Sequence, residues 1–152
     1  MRVLLLLLIS MAIGITQTAF AGVDTETDEN DVILAGHDAV AYQTQNKAVL
    51  GSANYTAEYN GAIYRFESAA NRDMFTNNSA KYAPVYGGYC AFGVSLGKKF
   101  DIDGKAFKVV DGRLYVNKNV DVLKTWVKDI PGNIKKANVE WPAIKDVAPS
   151  EL

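Results

Sequence analysis

The sequence predicts an α+β fold, two small antiparallel β-hairpins packed with short helices in a single compact domain. Three observations point there. Asn60-Gly61 separates two alternating runs, 55–59 and 62–66, and Asp111-Gly112 separates residues 106–110 from 113–116. Both pairs are tight hairpin turns, because both turn residues must accept positive φ. Val122, Leu123, Trp126, Val127 and Ile130 then fall on one stripe at helical spacing.

The elements follow in chain order. Met1-Arg2 is a short positive start, residues 3–15 are an almost unbroken apolar run, and Ala19-Phe20-Ala21 has the small-x-small pattern that signal peptidase reads. Residues 1–21 are therefore expected to be a secretory signal peptide, removed near Ala21. The run is short for a membrane span, which needs ~20 apolar residues. The mature chain is expected to be exported, periplasmic or secreted, with no membrane partner after signal removal. Residues 22–31 (GVDTETDEND) are acidic and lack large apolar side chains, which predicts a flexible leader. The fold starts at residues 32–34, and Gly36-His37-Asp38 reads as a turn. Residues 39–42 suit a short strand or a helical turn. Residues 47–50 are a short apolar run stopped by Gly51-Ser52.

Ser68 offers an N-cap oxygen to a helix over 69–77, with Phe75 facing inward, and 79–82 suits one more turn. Residues 91–96 read as a short helix closed by Gly97. Residues 101–107 (DIDGKAF) resemble a calcium loop only faintly, and read as a turn before a strand. The striped helix covers 120–130 and is expected to stop at Pro131-Gly132. A last short helix, carrying Ile134, Ala137 and Trp141, is expected to stop before Pro142. Residues 147–152 read as a tail.

Composition narrows the function classes. The chain has 16 Lys and Arg against 17 Asp and Glu, a net charge of −1. No basic stripe exists, so a nucleic-acid partner is not expected. The sequence contains no GxSxG, P-loop, GxGxxG or CxxC pattern, and its one histidine excludes a two-histidine metalloprotease centre. One cysteine permits no internal disulfide, and an exported protein that keeps an unpaired thiol draws attention to it.

That thiol, Cys90, lies in YGGYCAFG, residues 86–93. Two readings are open. At the start of a helix, backbone N–H groups and the helix dipole favour the thiolate, the form that attacks or binds metal. A free cysteine is equally a small residue that packs in a core. Gly87 and Gly88 allow a tight bend or a close approach to another group. Tyr86 and Tyr89, two of eight tyrosines, flank the glycines and can either pack or close over a ligand. His37 stands in a turn beside Asp38. Asp38 can orient the imidazole as a ligand or cap the turn.

GHDAVAY (36–42), EYNGAIYRFESAANRDMF (58–75), KYAPVYGGYCAFG (81–93), KVVDGRLYVNKN (108–119) and KDIPGNI (128–134) together resemble the YHS domain family, in its exported single-domain bacterial form. The resemblance implies a YHS-like domain over residues 32–146 and an association with heavy-metal handling. The chain departs from metal-binding relatives where they carry cysteines. It has Ala39, Val40 and Ala41 after Asp38, and Ala69, Ala70 and Asn71 after the helix-start serine. A four-ligand structural zinc site is therefore unavailable. The expected function is that of a binding protein more than an enzyme. It would hold a soft metal, a copper ion, through Cys90 and His37, with Asp38, Tyr86, Gly87, Gly88 and Tyr89 forming the surrounding pocket. The alternatives are a thiol redox enzyme or sensor using Cys90, and a non-catalytic interaction module for a small ligand or protein with Cys90 in the core.

Overall fold

A computed structural model describes residues 22–152; the expected signal peptide lies outside the described residues. Strand β1 (Ser52–Tyr59) and strand β2 (Ala62–Phe66) form the first antiparallel hairpin, with Tyr59 opposite Ala62. Strand β3 (Asp103–Val110) and strand β4 (Arg113–Asn117) form the second, with Val110 opposite Arg113. The turn residues Asn60, Gly61, Asp111 and Gly112 all have positive φ, as the two-residue turns require. Each hairpin shifts register once, between Ser52 and Thr56 and between Asp103 and Phe107. DGKAF is thus already strand.

Six helices pack on the hairpins: α1 (Ala39–Thr44), α2 (Ala69–Asn77), α3 (Ser79–Tyr82), α4 (Ala91–Val94), α5 (Val120–Trp126) and α6 (Ile130–Ile144). Ser68 caps α2 by accepting from Asn71 N–H, and Phe75 is fully buried. Helix α4 is shorter than expected, with Ser95 already its C-cap.

The expected stop at Pro131-Gly132 is a start. Asp129 accepts from Gly132 N–H at 3.0 Å, and proline fits the first helical turn, where its missing N–H has no partner to lose. Nor does α6 stop before Pro142, since it runs on to Ile144.

The core has two halves that share β4. Leu114 and Val116 face Tyr42, Phe66 and Phe75; Tyr115 faces Trp126, Tyr86 and Ala91. Alternation along one strand therefore feeds both halves, and β4 is buried on both faces. Among the described residues no helix is long and apolar enough to cross a membrane.

Candidate functional site

The GHD turn is held from within. Leu34, Ala35 and Gly36 all have positive φ, and the turn delivers His37 and Asp38 to the start of α1. Asp38 is fully buried. Its Oδ1 accepts from Val40 N–H (2.8 Å) and Ala41 N–H (3.1 Å), capping α1. Its Oδ2 accepts from Glu67 N–H (2.9 Å) and Asn71 Nδ2 (2.8 Å). Four donors leave this carboxylate no acceptor capacity for the neighbouring imidazole. His37 is also buried. Its Nδ1 lies 3.1 Å from Leu34 O, so Nδ1–H donates to that carbonyl. The ring packs on Gly104, where a side chain would collide with it.

The YGGYC segment bends sharply. Tyr86 (φ 55°), Gly87 (59°) and Gly88 (84°) are all left-handed, which throws Tyr86 and Tyr89 into the second half of the core. Tyr86 OH donates to Asn138 Oδ1 at 2.8 Å and packs on Trp141; burial pushes its pKa up to about 12. Its hydroxyl is satisfied and its ring lies in the second half of the core.

Cys90 follows, 1% exposed, as the N-cap of α4. The sulphur accepts from Gly93 N–H at 3.4 Å and donates toward Asn117 Oδ1 at 3.7 Å. Asn117 Oδ1 also accepts from Phe92 N–H at 3.1 Å. Burial pushes the thiol pKa up, against the N–H groups of Gly93, Lys118 and Phe92, which favour the thiolate; burial wins. A neutral thiol also fits its partners, because only S–H can donate to Asn117. The Asn117 amide nitrogen and Trp126 Nε1 are buried without a protein partner.

No group of three or more His, Cys, Asp or Glu side chains is arranged to hold a metal among the described residues. The polar contacts of His37 and Cys90 go to separate places, Leu34 O and the Asn117–Gly93 pair.

A cleft of about 420 Å³ lies elsewhere, lined by Val23, Glu26, Tyr89, Lys99, Asp101 and Pro149. The acidic residues 22–31, expected to be a flexible leader, run along it. Glu26 N–H donates to Gly87 O (2.9 Å), Tyr89 OH to Val23 O (3.0 Å), and Thr27 bridges Ile33. Lys99 is 4% exposed. Its Nζ donates to Val23 O (2.8 Å), Lys145 O (2.6 Å) and Val147 O (2.7 Å), so leader and tail both meet at one ammonium. The cation also stands 5.1 Å from the Tyr89 ring and 5.6 Å from the Trp141 ring. Sequence reasoning missed Lys99. A lysine is almost always exposed, and nothing next to it in the chain marks this one as buried.

Glu26 has a pKa raised from 4.5 to about 7, by burial first and then by Asp101 and Asp28. A raised folded-state value means stability that is full below about 4.5 and lost as pH rises through about 7. Glu26→Gln is therefore expected to flatten this stretch of the stability curve. At pH 8 it should be more stable than wild type by on the order of 1 kcal/mol, a figure reduced for solvent screening at a half-buried group. Urea denaturation of both proteins at pH 5 and pH 8 measures this; parallel curves would contradict it.

No family model, curated protein or solved structure matches the chain. Geometry alone therefore carries the functional argument.

Proposed function

We propose that this chain is an exported, YHS-type interaction module, not an enzyme, in which Cys90 is a structural thiol. The observation that carries the reading is the sulphur's position as the buried cap of α4, with its acceptor and donor roles both taken by the protein. A nucleophile needs a thiolate and an approach path, and burial opposes both. The motif's glycines and tyrosines then serve packing and the docking of main chain.

A second reading, a copper site, is favoured by one feature. His37 gives its Nδ1 proton to a backbone carbonyl, the arrangement that orients a ligating imidazole and leaves Nε2 free. Against it stands the donor set, at most Cys90 and His37, with the sulphur enclosed.

One experiment separates the readings. Residues 22–152 and the Cys90→Ser and Cys90→Ala variants are titrated with Cu(I) under reducing, anaerobic conditions. The native thiol is labelled in parallel before and after unfolding. The expected result is no stoichiometric copper, labelling only after unfolding, and a loss of about 1–3 kcal/mol in Cys90→Ala from the lost cap and packing. Near-stoichiometric copper that disappears in Cys90→Ser would establish the second reading instead. Rapid native labelling or peroxide reactivity would establish a redox thiol.

A further inference from the structure

We propose that the cavity between the turn of the first hairpin and the leader is a binding site for one sugar ring, a neutral polyhydroxylated ligand. It encloses about 180 Å³, and its lining includes Asp24, Tyr59, Asn60, Tyr64, Pro84 and Trp141. Ligands of drug size take ~300 Å³ or more, so the space suits a single small ring. The inference rests on the interaction-module reading and names the class of ligand. The cavity joins both halves of the core, since Tyr59 and Tyr64 belong to the first and Trp141 to the second.

Tyr64 carries the argument. It is 3% exposed, and its ring centroid lies 4.4 Å from that of Phe75. Its hydroxyl has no hydrogen-bond partner among the described residues, yet it is not sealed in protein as Asn117 Nδ2 and Trp126 Nε1 are. With the ring packed, the hydroxyl is the part that opens onto the cavity. The hydroxyls of Tyr82 and Tyr115 are also unpaired among the described residues, but neither residue lines this cavity. A hydroxyl held at such depth offers one donor and two acceptor sites to a molecule from outside.

Two further polar groups stand beside it. Asn60 is exposed and fixed at positive φ by the hairpin turn, and its amide makes no hydrogen bond among the described residues. The leader turns back through Thr25 N–H on Gly22 O (3.0 Å) and brings up Asp24, whose Oδ1 meets only the Thr25 hydroxyl, at 3.5 Å. Carboxylate, amide and hydroxyl together supply donors and acceptors, the set that neighbouring hydroxyls need, since each O–H both gives and takes. Tyr59 and Trp141 add two half-buried aromatic rings. The face of an aromatic ring is negative and draws the polarised C–H groups of a sugar. A wholly apolar ligand would leave the three polar groups unpaired, and an anionic one would face the Asp24 carboxylate.

The test uses residues 22–152 and three probes, glucose, galactose and N-acetylglucosamine, titrated singly and followed by amide and indole chemical shifts. Saturable shifts at Gly61 N–H and the Trp141 indole are expected with at least one sugar, at a Kd of about 1–10 mM, as suits a small ligand in a shallow site. Tyr64→Phe is expected to weaken that binding at least about fivefold. Its urea midpoint should stay level or rise, because only a hydroxyl without a protein partner is removed. Asp24→Asn, at an exposed position, is expected to weaken binding severalfold with the fold unchanged. No saturable shift with any of the three sugars overturns the site, as does unchanged affinity in Tyr64→Phe and Asp24→Asn. A lowered midpoint in Tyr64→Phe also overturns it, since the hydroxyl would then be paired within the protein. Equal affinity for glycerol would show a cavity that takes any polyol and would overturn the assignment to a sugar ring. Stoichiometric copper in the Cys90 experiment would instead overturn the module reading, so the two failures are distinguishable.

Discussion

Asp38→Ala is expected to lower the stability of the domain by about 3–5 kcal/mol, read as a shift in the urea midpoint at constant slope. The carboxylate is fully buried and takes four donors within 3.1 Å. Alanine orphans all four. Val40 and Ala41 N–H belong to the first turn of α1, where a lost cap alone accounts for about 1 kcal/mol. Glu67 N–H and Asn71 Nδ2 belong to the end of β2 and the start of α2, so the same loss uncouples the GHD turn from the first hairpin. Each buried donor left without a partner adds about 1–3 kcal/mol before relaxation. Asp38→Asn should fall between, because one face of the amide keeps an acceptor and the other turns a donor toward donors. Asn71→Ala removes one partner only and should lose about 1 kcal/mol. A loss below about 1 kcal/mol in Asp38→Ala would show that water reaches these donors and that the turn is not locked by the carboxylate.

Asn71 carries an amide that ties α2 to Asp38. The GHD turn is tied to the first hairpin and to α2 through this one carboxylate.

Legibility in the sequence divided along physical lines. Both hairpins were readable because two-residue turns demand positive φ, and Asn-Gly and Asp-Gly announce it locally. The Ser68 cap and the inward Phe75 were readable for the same reason, since capping and helical spacing are local. Pro131 misled because proline both ends helices and begins them. Asp129, two residues earlier, decides the matter through its bond to Gly132 N–H. The seating of the leader, residues 22–27 held as a strap over Gly87, was beyond reach. The strap's composition is that of a disordered segment, and what holds it is main chain meeting Gly87, Tyr89 and a buried lysine distant in sequence. Composition reports the side chains a segment can bury, and this segment is held by its backbone.

Gly87→Ala is expected to release the leader. The added Cβ would stand 1.8 Å from Asp24 O and 2.8 Å from Asp24 C, and backbone atoms cannot swing aside as a flexible side-chain end can. The substitution also places alanine at φ 59°, worth about 1–2 kcal/mol against the fold by itself. With the strap displaced, Glu26 N–H and the hydroxyl and ammonium contacts to Val23 are lost together. The total effect should reach about 2–4 kcal/mol if strap and domain unfold as one unit. If the strap opens independently, global stability falls only by the backbone term. Amide exchange at Glu26, and proteolysis within residues 22–28, would then rise at least about tenfold. The two cases are told apart by measuring exchange at Glu26 beside exchange at Leu114, which lies in the core. Gly88→Ala is the control, since its Cβ would meet no leader atom, only side-chain atoms of Ile33 and Pro84 from 3.3 Å, although its φ is likewise positive. Equal protection of Glu26 in Gly87→Ala and Gly88→Ala would mean that the strap is not seated on Gly87. Selective exposure in Gly87→Ala would identify Gly87 as the seat on which the leader turns back over the YGGYC segment.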